Sequence, residues 1–242
     1  MASPLGYELA PLVHLATLII TSVSAFYVYR QRTTAYRFAK NLLIIVHALY
    51  GGVIGFEFLR DFSTNPTDMH IYTIGGTTLV LADVVILTAV AVAVYFRPTG
   101  LGYTGLLTEL LSKGRQGLIF ITFVYYILFV DLYLIFLTPY KIISIQAVFG
   151  VPVLITEFTT TYLALLLIVL VIFLIYPSTM LLLAARSTRD PSVRKTLIIL
   201  PLAWTGIGID LLVFNGYLLT AGIDATPFGY LIGSLIFGIT AG

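Results

Sequence analysis

Residues 36–60 read YRFAKNLLIIVHALYGGVIGFEFLR, an apolar run of membrane-spanning length that nevertheless carries a histidine, a tyrosine and a glutamate. His47, Tyr50, Ile54 and Glu57 are spaced three, four and three apart, which on a helix aligns them along one stripe. A carboxylate such as Glu57 is costly against hydrocarbon unless it faces other helices or water. The stripe therefore looks into a bundle, and the same reasoning extends to the rest of the chain.

Composition sets the solvent. Of 242 residues, 59% are apolar and 10% charged, and mean hydropathy is +1.03, values that leave a soluble domain too little polar surface to stay in water. The net charge of +2 gives no nucleic-acid signature, and the absence of cysteine excludes disulfides, Cys-ligated metal and thiol catalysis. The opening MASPLGYELAP lacks the basic start of a signal peptide. The first helix is expected to remain in the mature chain.

Seven windows approach the ~20 residues that cross a bilayer: 7–29, 36–60, 70–96, 116–138, 157–185, 193–220 and 226–242. They predict one domain over 1–242, an all-α, multi-pass bundle of the plasma membrane. Arg30, Arg32, Arg37 and Lys40 flank the first loop, Arg97, Lys113 and Arg115 the third, and Arg186, Arg189, Arg194 and Lys195 the fifth. Of 13 basic residues, only Arg60 and Lys141 fall on the other side. Because Lys and Arg collect in cytoplasmic loops, the N-terminus is read as outside and the C-terminus as inside.

Two loops have character. YTGLLTELLSKG, ending at Gly114, reads either as a short interfacial helix or as a packing spacer. KIISIQAVFGVPVLITEF is rich in β-branched residues and turns at Gly150, Val151 and Pro152, predicting an external hairpin or lid, with a bent start to the fifth helix as the alternative. Pro177 and Pro201 fall inside apolar helices, where proline favours a kink. Gly229, Gly233, Gly238 and Gly242 supply four-residue spacings suited to close helix contact. The last window lacks a basic inner anchor, so the chain is expected to continue past Gly242.

The acids cluster toward one side. Glu57, Asp131 and Glu157 fall in the outer parts of their windows, and His47, Asp83 and Asp210 lie nearer the middle. In the first window His14, Thr17, Thr21 and Ser24 repeat the three-four-three spacing. Tyr72, Gly76 and Asp83 share a face in the third, as do Asp210 and Tyr217 in the sixth. These stripes predict an outward-facing polar cavity that binds a ligand or senses protons through His47, Glu57, Asp83, Asp131 and Asp210. Its walls would include His14, Tyr50, Tyr72, Asn215 and Tyr217, with Tyr125, Tyr126, Tyr133 and Trp204 as further contributors. Glu57 and Glu157 read equally as interfacial carboxylates, and His14 as a helix–helix hydrogen-bond partner. No intramembrane Lys or Arg can pair Asp83 or Asp210, which leaves His47 as the candidate partner of one of them.

No catalytic motif is present: HExxH, GxSxG and a phosphate-cradling glycine loop are all missing. Histidines at unlike depths do not suit haem or zinc, and a last window without lysine cannot form a retinal Schiff base. Neither enzymatic activity, metal nor cofactor is expected.

AYRFAKNLL…GFEFLRDF, with an acid ending the second window, and LAARSTRDPSVRKTLIILPLAW…DLLVFNGYLLTAGIDATPFGYLIGSLIFG resemble the seven-helix N-terminal sensor modules of bacterial and archaeal histidine kinases and related signalling proteins. The resemblance implies a sensor or receptor that detects a small or lipophilic ligand, or protonation, and passes the signal to a cytoplasmic signalling domain or partner. It implies no catalytic residues; any kinase activity would lie beyond Gly242. The expected partners are the lipid bilayer, a small-molecule ligand and a second copy in a homodimer, with no nucleic acid. A proton- or ion-coupled transporter and an accessory subunit of a membrane complex stand as alternatives.

Overall fold

A computed structural model describes residues 4–30, 37–96, 114–137, 140–148, 150–187, 189, 191, 194–195, 197–199, 201–202 and 226–241. The protein is mostly helical. Six helices are described: α1 (Pro4–Arg30), α2 (Arg37–Arg60), α3 (Pro66–Phe96), α4 (Arg115–Phe136), α5 (Thr160–Ser187) and α6 (Thr226–Ala241). Two strands, β1 (Tyr140–Val148) and β2 (Val151–Phe158), stand between α4 and α5. By length and composition, Leu9–Arg30 of α1 and Pro66–Ala89 of α3 are long and apolar enough to cross a membrane. Residues 203–220 of the sixth window and the short helix expected before Gly114 lie outside the described residues.

Local chemistry starts the helices where they start. Asn65 stands before Pro66, whose missing N–H is no loss in a first turn, and accepts a hydrogen bond from the Asp68 N–H at 2.9 Å. Its amide donates in turn to the Asp68 carboxylate at 2.5 Å. Thr159 caps α5 by accepting from the Tyr162 N–H at 3.3 Å. Within the helices Thr17, Thr73, Thr77 and Thr88 return their hydroxyls to the carbonyl four residues back, so each is satisfied without water.

The helices pack in a chain of neighbours: α6 on α1, α1 on α2, α2 on α3, and α3 on α5, with α4 against α3 and α5. The largest apolar cluster joins Leu81, Leu87 and Val92 of α3 to Phe123 and Val130 of α4 and Met180 and Leu181 of α5. A smaller one joins Tyr50, Val53 and Ile54 of α2 to Tyr230 of α6. The α2–α3 contact depends on small residues: a Cβ on Gly75 would meet the Phe56 ring at 2.8 Å, whereas one on Gly55 would meet nothing within 4 Å. Gly75→Val is therefore expected to lower stability by about 1–3 kcal/mol through overpacking, with Gly55→Ala close to neutral, read as melting temperatures in one detergent. Equal effects at both positions would contradict the close approach.

The hairpin departs from the all-α expectation and refines its own reading. Val148 pairs with Val151 and Ala147 with Pro152, so Val151 and Pro152 already belong to β2 rather than to the turn. Gly150 takes φ +79°, a conformation glycine adopts without steric cost. Pro152, which has no N–H to give a ladder, is tolerated in a two-stranded sheet where both strands are edges. The fifth helix begins at Thr160 rather than at 157, and Glu157 lies in β2 opposite Lys141, because the β-branched run Val151–Phe158 finds a strand partner in β1. The hairpin docks on the α2–α3 connection: the Leu154 N–H donates to the Ser63 carbonyl at 3.0 Å, and the Tyr140 hydroxyl to the Pro66 carbonyl at 3.1 Å. Met69, Tyr140 and Leu154 pack together there, and burial pushes the Tyr140 hydroxyl above the usual phenol range.

Candidate functional site

On α1, His14, Thr17, Thr21 and Ser24 are all buried, while Leu12, Leu15, Ile19, Val23 and Phe26 are 45–63% exposed. The stripe of α2 is buried likewise, through His47, Tyr50, Ile54 and Glu57. Helical periodicity thus turns the polar groups of both helices toward their neighbours and the apolar ones outward, the reverse of a water-soluble surface.

Near the end that carries the α2–α3 connection, these groups converge. His14 Nδ1 lies 2.6 Å from Asp61 Oδ2, a hydrogen bond in which the ring N–H donates to the carboxylate. His14 is 1% and the Asp61 side chain 13% exposed. Arg60 reaches back one turn to clamp Glu57, its Nη1 donating to Oε1 at 3.2 Å and its Nη2 pairing with Oε2. Tyr230 of α6 stands beside both stripes: its ring centroid is 6.0 Å from that of His14 and 6.3 Å from that of Tyr50, and its carbonyl accepts the Tyr50 hydroxyl at 3.0 Å. Tyr162 of α5 shares a hydrogen bond with Thr77 of α3 at 3.1 Å. The charges of Glu57 and Arg60 act on both the Tyr162 and the Tyr230 hydroxyls. Further along α1, Thr21 and Ser234 of α6 share a hydrogen bond at 2.9 Å.

The result is a packed polar seam in which an imidazole, two carboxylates, a guanidinium and phenols from α1, α2, α5 and α6 lie close together. The His14 Nε2 atom is buried and has no hydrogen-bond partner among the described residues, so the ring has an unused position at the centre of the seam. An imidazole nitrogen so placed can hydrogen-bond a small polar group. Among the described residues no three His, Asp or Glu converge as a metal ion would require.

The other expected site residues are placed as follows. Asp131 is half-buried and accepts the Thr78 hydroxyl at 2.8 Å, tying α4 to α3. Asp83 is buried deeper in α3, and its Oδ1 has no hydrogen-bond partner among the described residues. His47 is buried on α2. Tyr72 is half-buried against Phe56; Tyr126 and Tyr133 are half-buried too. Tyr125 is 69% exposed on the outer face of α4 beside Leu128, Phe129 and Leu132 and lines no interior wall. Asp210, Asn215, Tyr217 and Trp204 lie outside the described residues.

Sequence reasoning missed Asp61, Tyr162 and Tyr230 and assigned Arg60 only to topology. A signal existed for Asp61 and Arg60: Asp61 and Glu57 are four apart with Arg60 between, which sets three charges at and just beyond the end of α2. Tyr230 was masked by the glycines around it, and its neighbours Gly229, Gly233 and Ser234 are indeed buried. No family model matches this chain, and a search of curated proteins finds no match.

Proposed function

We propose that this chain is a seven-helix module of the plasma membrane, N-terminus outside, that senses protonation or a small lipophilic ligand at its outer end. The observation that carries the proposal is the buried seam of His14, Asp61, Glu57, Arg60 and Tyr230 inside helices whose outward faces are apolar. At about 1.5 Å per residue, the 27 residues of α1 and 31 of α3 exceed the ~30 Å of a bilayer's hydrocarbon core. Basic residues gather at the opposite, inner end. The last helix supplies the route inward: Tyr230 and Ser234 sit on the seam, so a changed seam biases how α6 packs on α1 and what α6 presents to cytoplasmic signalling machinery.

The chain has no cysteine, so Val23→Cys on α1 and Leu235→Cys on α6, both exposed, give a unique spin-label pair. The distance distribution is expected to change between about pH 5 and about pH 8, and to lose that change in His14→Phe. Identical distributions at both pH values would remove proton sensing from the proposal. A second reading, a proton-coupled transporter, is favoured by Asp83, a buried carboxyl deeper in α3 with an oxygen unpartnered among the described residues. It predicts net proton movement into dye-loaded proteoliposomes that Asp83→Asn abolishes, whereas a sensor moves none.

A further inference from the structure

Away from the seam, beyond the end of α5, Arg189, Pro191, Arg194, Lys195, Ile198 and Ile199 line an open groove of about 380 Å³. Its three cationic side chains are exposed, as are Ile198, Ile199 and the neighbouring Leu202. Residues 186–195 carry four cations against one acid, Asp190. The groove directly follows a long apolar helix, so on the membrane reading proposed above it lies at the inner leaflet's headgroup level. The lining thus combines three cations with exposed isoleucines, and the exposed Leu202 follows close by in sequence.

We infer that this groove binds the phosphate headgroup of an anionic phospholipid, with Arg189, Arg194 and Lys195 on the phosphate and Ile198, Ile199 and Leu202 along the start of an acyl chain. The pairing of charge with apolar surface selects the occupant. A free anion would gain from the cations but leave the isoleucines bare, and a zwitterionic lipid would cover the isoleucines but cancel part of its attraction through its own ammonium. An anionic phospholipid satisfies both the cations and the apolar side chains, and guanidinium groups suit its phosphate by their forked donors.

The test titrates the detergent-solubilised full chain with phosphatidylglycerol and counts bound lipids by native mass spectrometry. Phosphatidylglycerol is expected to bind in preference to phosphatidylcholine. The variant Arg189→Gln/Arg194→Gln/Lys195→Gln should weaken it by roughly a hundredfold, about fivefold per cation. Arg30→Gln/Arg115→Gln, which removes exposed inner-end charges outside the groove, should leave it within about twofold, less than the effect of a single cation. Equal weakening in the two variants, or none in the triple variant, overturns the site. Displacement of the lipid by inorganic phosphate at equal concentration overturns the lipid as its occupant. A chain that stays in solution without detergent overturns the membrane reading and the groove proposal with it, an outcome distinct from reconstitution without lipid preference.

Discussion

Replacing Arg60 with alanine lowers the stability of the folded chain by about 3 kcal/mol, the scale for removing one partner of a buried ion pair. The size follows from what stays behind. Glu57 is 7% exposed and its carboxylate is held from both oxygens by the Arg60 fork, so the variant keeps a buried negative charge that has lost its guanidinium. The expected companion result is that Arg60→Ala/Glu57→Gln recovers much of the loss, since neither charge then remains to be compensated. Thermal or denaturant unfolding in a fixed detergent reads both. A loss of less than about 1 kcal/mol for the single variant, the range of a solvent-exposed pair, would mean that water and not protein surrounds the end of α2.

The second large effect is at the opposite kind of position. Ile19 is 58% exposed on α1, midway along the helix and on the face away from the seam. If that face meets lipid, Ile19→Arg costs about 2.5–3.5 kcal/mol of insertion free energy, and the variant is expected to be largely lost from the membrane fraction. Thr17→Arg, which puts the same charge into the fully buried stripe, is expected to fail by a different route, disrupting the packing of α1 rather than its insertion. Were Ile19 facing water, the arginine would be tolerated and the yield unchanged. Membrane-fraction yields of Ile19→Arg and Ile19→Leu, compared side by side, decide between the two.

The parts of this fold that could be read from sequence are those governed by periodicity within one element. The three-four-three spacings of His14, Thr17, Thr21 and Ser24, and of His47, Tyr50, Ile54 and Glu57, place each set on one face, and the structure buries both sets. The hairpin was legible from its β-branched residues and Gly150. The parts that escaped depend on which face meets which. His14 was read as a hydrogen-bond partner without its acid, because Asp61 follows the helix end and lies 47 residues away in sequence. Tyr230 comes 180 residues after Tyr50, and nothing in either helix alone announces that α6 closes against α1. Glu157 was assigned to a helix because apolar β-branched runs fit a strand or a membrane helix equally until pairing with β1 decides it. Tyr125 failed for a related reason: an aromatic in an apolar helix packs inward or meets lipid with equal ease.

The proposed readings of the polar seam at one end and of the basic groove beyond the other both rest on the helices between them crossing a membrane in the proposed orientation. The absence of cysteine makes that directly measurable by labelling intact cells with a membrane-impermeant maleimide. Asn65→Cys, in the connection after α2, and Ile145→Cys, on the exposed face of β1, are expected to react in intact cells, and Ser187→Cys, at the end of α5, only after lysis. Labelling of all three from the same side, or of Ser187→Cys alone in intact cells, would contradict the topology on which both the seam and the groove are interpreted.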